Sequence, residues 1–191
     1  MSADGRAAPR LLDEEALREW GRRLGAAAAR ERVFVALFGP LGAGKSTLVR
    51  AAARGAGVEG AVPSPTYTLV NEHPLPGEAG GTLFHVDLYR LSGPRALDEI
   101  GWDRLLAGEG PVFVEWADRA EGALPADRWE VRLGIPEDRS LRRVAVRRAG
   151  AAPRPPGLPG TPPGSGADAA PGETAGAATG GDGSGRGQPP C

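Results

Sequence analysis

Hydrophobic positions in the first third of the chain alternate between helical and strand spacing. In residues 11–30 the apolar side chains recur every three or four residues, as on one helix face, and Asp13 is placed as the N-cap. Residues 33–38 form a continuous apolar run, which is typical of a strand buried on both faces. Residues 46–54 return to helical spacing and stop at Gly55. The pattern predicts a helix, a buried strand and a second helix in succession.

Strand spacing dominates the rest of the patterned chain. Five segments have strand character, and they are residues 67–72, 82–86, 111–115, 129–135 and 141–146. The first two flank a loop rich in proline and glycine, and the last two flank a turn, so each pair has the signature of an antiparallel hairpin. Residues 96–106 fit a short helix that Gly101 interrupts. The sequence therefore predicts an α/β fold in which a mixed β-sheet is flanked by helices.

Composition separates the end of the chain from the rest. The last 41 residues, from Ala151 to Cys191, contain 11 glycines and 9 prolines but only one large aliphatic residue, Leu158. Such composition is typical of disordered chain, because it cannot bury enough apolar surface to offset the entropy lost on ordering. The sequence predicts a single folded domain over residues 1–149 and a disordered Gly/Pro-rich tail over residues 150–191.

Charge and cysteine content exclude several classes of protein. Of 23 basic and 24 acidic residues, two and three lie in the predicted tail, so the predicted domain carries 21 of each. This balance argues against a strongly basic nucleic-acid-binding protein, although it leaves a local arginine patch open. The single cysteine, Cys191, excludes a disulfide framework. No segment approaches the ~18 apolar residues of a membrane span, and residues 1–10 do not resemble a signal peptide, so we expect a cytoplasmic protein.

The loop between the first predicted strand and the second helix carries the chemistry. Residues 39–46 read Gly-Pro-Leu-Gly-Ala-Gly-Lys-Ser, which is the complete pattern of a phosphate-binding P-loop in its required context. Lys45 is the only lysine in the chain. Its flexible ammonium suits the β- and γ-phosphates of a nucleotide, and the Ser46 hydroxyl suits Mg²⁺. The sequence predicts a P-loop NTPase-like domain whose nucleotide contacts are Gly39, Leu41, Gly42, Ala43, Gly44, Lys45, Ser46 and Thr47.

Further candidate site residues lie at strand ends and in one loop. Asp87 and Glu115 each end a predicted strand, where side chains face the crevice that binds nucleotides in open α/β sheets. Solvated charges or helix caps are the alternative for both. Residues 64–68 are placed like a loop that senses a γ-phosphate, with an ordinary turn as the alternative. Trp116 is either a core residue or a shield over the phosphates, and His85 is expected to be a packed residue.

Other functions fit the same loop. A small-molecule or nucleoside kinase needs an acceptor pocket and usually a mobile lid, for which Arg90, Arg95 and Arg104 are candidates. A binding module that holds nucleotide without useful hydrolysis is a second alternative. The chain lacks the Asn-Lys-x-Asp signature of GTPases, which favours ATP. Residues 13–14 and 132–133 are the candidates for flanking the adenine.

Four segments together resemble the TsaE (YjeE) family in motif, order and spacing: residues 41–47, 64–72, 85–91 and 114–118. The family consists of small bacterial P-loop ATPases needed to form N6-threonylcarbamoyladenosine at position 37 of tRNAs that read codons beginning with A. The resemblance implies an accessory ATPase that acts on a complex of a TsaD-like transferase with a TsaB-like subunit. Such a protein resets the complex between turnovers, meets tRNA only through it, and does not transfer the threonylcarbamoyl group itself.

The resemblance also implies roles for individual residues. Lys45 and Asp87 are the expected catalytic residues, with Lys45 contacting phosphates and Asp87 assisting hydrolysis. Ser46 and Glu115 are the expected ligands of Mg²⁺. Thr66, in the switch-like loop, and Trp116 are expected to contact ATP together with the glycine loop. The family commonly has threonine where this chain has Ser46, and the hydroxyl ligand is the same in both.

Overall fold

A seven-stranded sheet lies at the centre of the computed structural model, which describes residues 8–77, 80–91 and 95–160. The strands are β1 (Arg10–Leu12), β2 (Phe34–Phe38), β3 (Val70–Pro74), β4 (Thr82–Asp87), β5 (Val112–Glu115), β6 (Arg128–Gly134) and β7 (Arg142–Ala149). Their spatial order is β1-β7-β6-β2-β5-β4-β3. The inner strands β6, β2, β5 and β4 pair in parallel. The remaining pairings are antiparallel. The predicted α/β class with a mixed sheet is confirmed.

Helices cover both faces of this sheet. They are α1 (Glu14–Glu31), α2 (Lys45–Gly55), α3 (Arg95–Glu99), α4 (Trp102–Leu106) and a 3₁₀ helix (Ala117–Ala123). The side chain of Asp13 caps α1 by accepting a hydrogen bond from the Ala16 N–H at 2.8 Å. The predicted helix over residues 96–106 is divided at Gly101, whose φ of 71° ends regular helix there. No helix in the described part of the chain is long and apolar enough to cross a membrane.

One boundary differs from the prediction, and one strand was not predicted. Helix α1 begins at Glu14, directly after the predicted N-cap Asp13, but residues 10–12 pair with β7 as the edge strand β1. The strand predicted over residues 67–72 is β3, which runs from Val70 to Pro74. Residues 64–68 are therefore a loop leading into that strand.

The core divides into two layers because side chains alternate along the central strand. Val35 and Leu37 of β2 point toward α1 and α2, where they pack in a cluster with Trp20 and Leu48. Phe34, Ala36 and Phe38 point to the other face, which α3, α4 and the 3₁₀ helix cover. β2 is thus buried on both faces, as its continuous apolar run predicts. The strand that leads into the glycine loop is held firmly from both sides.

Residues 150–160, which we call the C-terminal strap, pack on the domain instead of forming part of a disordered tail. Leu158 is 2% exposed and belongs to the core cluster beneath α1. The indole N–H groups of Trp20 and Trp129 donate to the carbonyl oxygens of Pro156 and Pro153, at 3.1 and 2.6 Å. The packed part of the described chain therefore extends past the predicted domain boundary at residue 149, through residue 160. The rest of the predicted tail, residues 161–191, lies outside the described residues.

Candidate nucleotide-binding site

The glycine loop connects β2 to α2 through backbone conformations that favour glycine. Gly39, Gly42 and Gly44 have φ values of 140°, 78° and 98°. At Gly39 a Cβ atom would lie 2.2 Å from the carbonyl oxygen of Leu133, so no side chain fits. Gly44 is the N-cap of α2, and it therefore begins a helix whose first amide groups have no acceptor within the helix. The local sequence thus builds a tight concave turn in front of a helix N-terminus, which favours anions.

Lys45 is buried in this turn, with 4% of its surface exposed. Its ammonium donates to the carbonyl oxygens of Gly39 and Pro40 at 2.7 and 2.9 Å, and it lies 3.7 Å from the centroid of the Trp116 ring. Burial lowers the pKa of Lys45, and the negative charges of nearby carboxylates, foremost Glu115, oppose that shift. The loop therefore holds a positive charge that water reaches poorly, a setting in which an anionic ligand interacts strongly.

Ser46 and Glu115 meet directly behind the loop. The Ser46 hydroxyl donates to Oε2 of Glu115 at 2.8 Å. The other carboxylate oxygen, Oε1, lies 2.8 Å from Nε2 of His85. Glu115 is 2% exposed and His85 is fully buried. The first residues of α2 and the end of β5 thus bring one hydroxyl and one carboxylate together, as expected for Ser46 and Glu115.

Asp87 connects the strand end to the loop at residues 64–68. Its Oδ2 accepts a hydrogen bond from the Thr66 hydroxyl at 3.0 Å, and its Oδ1 accepts one from the Tyr89 backbone N–H at 2.9 Å. The Ser64 and Thr66 hydroxyls are 3.1 Å apart and are themselves hydrogen-bonded. Asp87 and Glu115 are paired neighbours on adjacent parallel strands. The structure therefore places the predicted hydroxyl-rich loop, Asp87 and Glu115 at one edge of the sheet.

Trp116 covers the site at a backbone conformation that is uncommon for its residue type. It has φ 58° and ψ 42°, in the left-handed region that non-glycine residues rarely occupy. The indole contacts both the Lys45 ammonium and the Tyr89 ring, whose centroid lies 4.9 Å from that of Trp116. Of the two alternatives for Trp116, the half-buried position beside Lys45 favours a covering role over a purely packed one.

The other residues predicted to contact the nucleotide differ in how far they are exposed. Leu41, at the tip of the loop, is 72% exposed, whereas Ala43 is buried and its N–H donates to the Pro40 carbonyl at 3.2 Å. Gly42 is exposed and Thr47 is half-buried on the first turn of α2. The glycine loop therefore exposes its tip while its base is anchored in the core.

The residues expected to flank the base are only partly at the site. Leu133 of β6 packs behind the glycine loop, within 3.8 Å of a Cβ at Gly44. Asp13 is engaged in capping α1. The Arg132 guanidinium stacks 4.3 Å above the Phe38 ring, on the sheet face away from α1 and α2.

His85 belongs to the site, although its sequence pattern predicts only a packed residue. It does pack in the interior, as expected, but its ring nitrogen contacts the carboxylate of Glu115. The signal was present in the pattern, because side chains two apart on a strand share a face, and His85 precedes Asp87 by two. A polar residue between Leu83 and Asp87 on that face points toward α2 and the glycine loop.

The oxygen atoms at this centre suit a hard cation such as Mg²⁺ that is also bound by the phosphates of a nucleotide. Among the described residues, no three His, Cys, Asp or Glu side chains come together as a metal-binding group. Mg²⁺ does not require such a cage, since it commonly binds through one or two protein oxygens, waters and the phosphates of a nucleotide. The hydroxyl of Ser46 and the carboxylate of Glu115 are oxygen ligands of this kind.

Comparison with known proteins places the chain in a family. Residues 11–144 match the family model described as "Threonylcarbamoyl adenosine biosynthesis protein TsaE". The chain belongs to the TsaE family. The family's name assigns its members to threonylcarbamoyladenosine biosynthesis, and the resemblance seen in the four sequence segments is confirmed.

Individual relatives agree with this assignment. The protein named tRNA threonylcarbamoyladenosine biosynthesis protein TsaE is 37% identical in Haemophilus influenzae, over 62% of this chain and 73% of the relative. The protein of the same name in Streptomyces coelicolor is 42% identical, over 61% and 78%. A crystal structure of YdiB from Bacillus subtilis superimposes with a TM-score of 0.56 and 28% identity, covering 75% of this chain and 89% of that one. The similarity therefore extends through both sequence and fold.

Proposed function

We propose that this TsaE-family protein takes part in tRNA threonylcarbamoyladenosine formation as a Mg²⁺-dependent ATPase. The observation that carries the proposal is the meeting of Lys45, Ser46 and Glu115 at the glycine loop, with a 2.8 Å hydrogen bond from Ser46 to Glu115. The loop offers backbone amides and one buried ammonium to phosphates. The Ser46 and Glu115 oxygens would hold Mg²⁺, which neutralises charge on the phosphates when bound.

Asp87 is proposed to assist hydrolysis by orienting the attacking water. Its carboxylate is fixed by the Thr66 hydroxyl and the Tyr89 N–H, one bond to each oxygen. Each carboxylate oxygen has further lone pairs, so a third partner such as water can still bind. Because Thr66 belongs to the loop at residues 64–68, a change at Asp87 during hydrolysis would reach that loop directly. This coupling supports a switch-like role for the loop.

The partner is proposed to be a complex of a TsaD-like transferase and a TsaB-like subunit, with tRNA reached only through that complex. Near the site the surface carries Tyr67, which is 82% exposed, with the Arg90 guanidinium 4.4 Å from its ring. An exposed tyrosine backed by arginine is suited to a protein contact. Since Tyr67 follows Thr66 directly, this contact would sense the state of the nucleotide site.

Hydrolysis assays test the ATPase role. We expect slow release of ADP by the protein alone and faster release when the TsaD–TsaB complex is added. Lys45→Ala should reduce hydrolysis by about 10²–10³-fold, because one preorganised electrostatic contact is worth that much. Arg50→Ala, an exposed cation on α2, is the matched control and should retain wild-type activity. Full activity of Lys45→Ala would contradict the proposal.

The kinase alternative is separated by product analysis. A small-molecule or nucleoside kinase transfers the γ-phosphate to an acceptor, whereas an ATPase releases inorganic phosphate in equal amount to ADP. Thin-layer chromatography with labelled ATP and candidate acceptors therefore distinguishes them. A phosphorylated acceptor in stoichiometric yield with ADP would establish the kinase and overturn the ATPase proposal.

A further inference from the structure

A fully buried histidine lies directly behind the proposed metal ligand. Nε2 of His85 is 2.8 Å from Oε1 of Glu115, and the two side chains are 0% and 2% exposed. The other ring nitrogen, Nδ1, has no hydrogen-bond partner among the described residues. Within the described part of the chain, the Glu115 carboxylate is therefore the hydrogen-bond partner of this imidazole.

The proposed metal site gives this contact a direction. A carboxylate that binds Mg²⁺ is ionised and only accepts hydrogen bonds, so a metal-binding Glu115 requires the hydrogen of this contact to lie on Nε2 of His85. The two oxygens of Glu115 are thereby divided, with Oε1 facing His85 and Oε2 facing Ser46.

We propose that His85 is a positioning residue, which holds Glu115 so that its second oxygen is presented to Ser46 and to Mg²⁺. The inference rests on the proposed function, because it concerns the same Mg²⁺ site. Groups that hydrogen-bond a metal ligand from behind fix its orientation, and their loss typically costs about 10–100-fold in metal affinity or activity. Without the His85 N–H, the Ser46 hydroxyl would be the remaining hydrogen-bond donor to the Glu115 carboxylate among the described residues, and Oε1 would lose its partner.

Packing alone does not explain a histidine at this position. Leu83 and Phe113 are its apolar companions on the same face of the sheet, in the core layer toward α2. A well-packed apolar pair in place of a buried polar pair is often neutral or stabilising. Orientation of the carboxylate is what an apolar side chain at residue 85 would not supply.

Two variants separate positioning from packing. His85→Gln retains an N–H donor at about the reach of Nε2, whereas His85→Leu removes the donor and keeps the volume apolar. The measurement is the affinity for ADP by titration calorimetry, with EDTA and with increasing MgCl₂. For His85→Leu we expect the Mg²⁺-dependent gain in affinity to fall by about 10–100-fold, with the affinity in EDTA little changed. His85→Gln should recover most of the gain.

The outcomes distinguish this inference from the function on which it rests. If wild-type protein shows no Mg²⁺-dependent gain, or fails to bind ADP, the proposed function is wrong. If wild type shows the gain and folded His85→Leu keeps it in full, the positioning role alone is wrong. An equal loss of affinity with and without Mg²⁺ would indicate general damage and would also overturn it.

A measurement on the wild-type protein covers the case in which His85→Leu does not fold. Nitrogen-15 NMR distinguishes the two neutral tautomers of a histidine ring. We expect His85 to carry its hydrogen on Nε2, hydrogen-bonded to Glu115, and a hydrogen on Nδ1 with a bare Nε2 would overturn the proposal. His85→Asn gives a further comparison, since its shorter amide does not reach Glu115 and should resemble the leucine variant in Mg²⁺ dependence.

Discussion

The C-terminal strap makes a quantitative stability prediction through Leu158. This side chain is 2% exposed and packs in the core cluster with Trp20 and Leu24 of α1. Buried Leu→Ala substitutions cost about 2–5 kcal/mol, and the cost is smaller where the surroundings can collapse into the space. Because the strap is a surface segment that can move inward, we expect Leu158→Ala to lower the free energy of unfolding by about 2–3 kcal/mol. In a domain of this size that corresponds to a melting temperature lower by about 4–12 °C.

Urea denaturation and thermal melting, each followed by circular dichroism, measure this effect. Leu11→Ala is the matched control, because Leu11 is 54% exposed on the edge strand β1 and should change stability by less than about 0.5 kcal/mol. A chain ending at residue 149 should be destabilised further than Leu158→Ala. It loses Leu158 and both proline carbonyls that accept from the indoles of Trp20 and Trp129. Equal stability of this truncated chain and the chain ending at residue 160 would refute the role of the strap.

Two further predictions concern the glycine loop and the loss of stability at low pH. Gly39→Ala should abolish nucleotide binding and lower the melting temperature, because its Cβ would meet the Leu133 carbonyl oxygen at 2.2 Å and φ is 140°; tight ADP binding by this variant would contradict the loop geometry. Burial alone would raise the pKa of Glu130, but hydrogen bonds and charge from Arg147 and Arg128 outweigh it and lower that pKa. The stabilisation is therefore present above the ordinary carboxyl pKa and lost as pH falls through the lowered one. In urea denaturation from pH 7 to 3, the free energy of unfolding should fall less steeply with pH in Glu130→Gln than in the wild type. An equal fall in both proteins would contradict this.

The central elements of the fold could be predicted because their patterns are local. The apolar run of β2, the glycine loop and the helical spacing of α2 each depend on a few consecutive residues, and the structure contains them in that order. The edge strand β1 was missed because three residues are too few for a pattern. Its existence depends on β7, which lies more than a hundred residues later in the chain.

The site illustrates the same division between local and distant information. The sequence predicts that Asp87 and Glu115 each lie at the end of a strand. Their side-by-side position depends on the pairing of β4 with β5, which no local pattern predicts. The contact between His85 and Glu115 depends on that same strand order. Strand alternation indicates which face His85 shares with Asp87, but its partner Glu115 depends on the order of the strands in the sheet.

The strap shows why composition alone misjudges a short segment. Proline and glycine are typical of disordered chain, yet proline carbonyls are also acceptors that need no regular structure. Two buried tryptophans, Trp20 and Trp129, each present an N–H donor that requires a partner. The carbonyl groups of Pro156 and Pro153 are those partners. Leu158, near the end of the strap, is buried in the core and holds that end in place.

The central claim is that ATP chemistry at Lys45 supports threonylcarbamoyladenosine formation. The direct test is mass spectrometry of tRNA nucleosides from cells depleted of the native protein and supplied with either wild-type or Lys45→Ala protein at matched abundance. We expect threonylcarbamoyladenosine to be restored by the wild-type protein and by the control variant Arg50→Ala, and to stay depleted with Lys45→Ala. Full modification in cells that carry only Lys45→Ala, or its persistence after depletion alone, would contradict the claim.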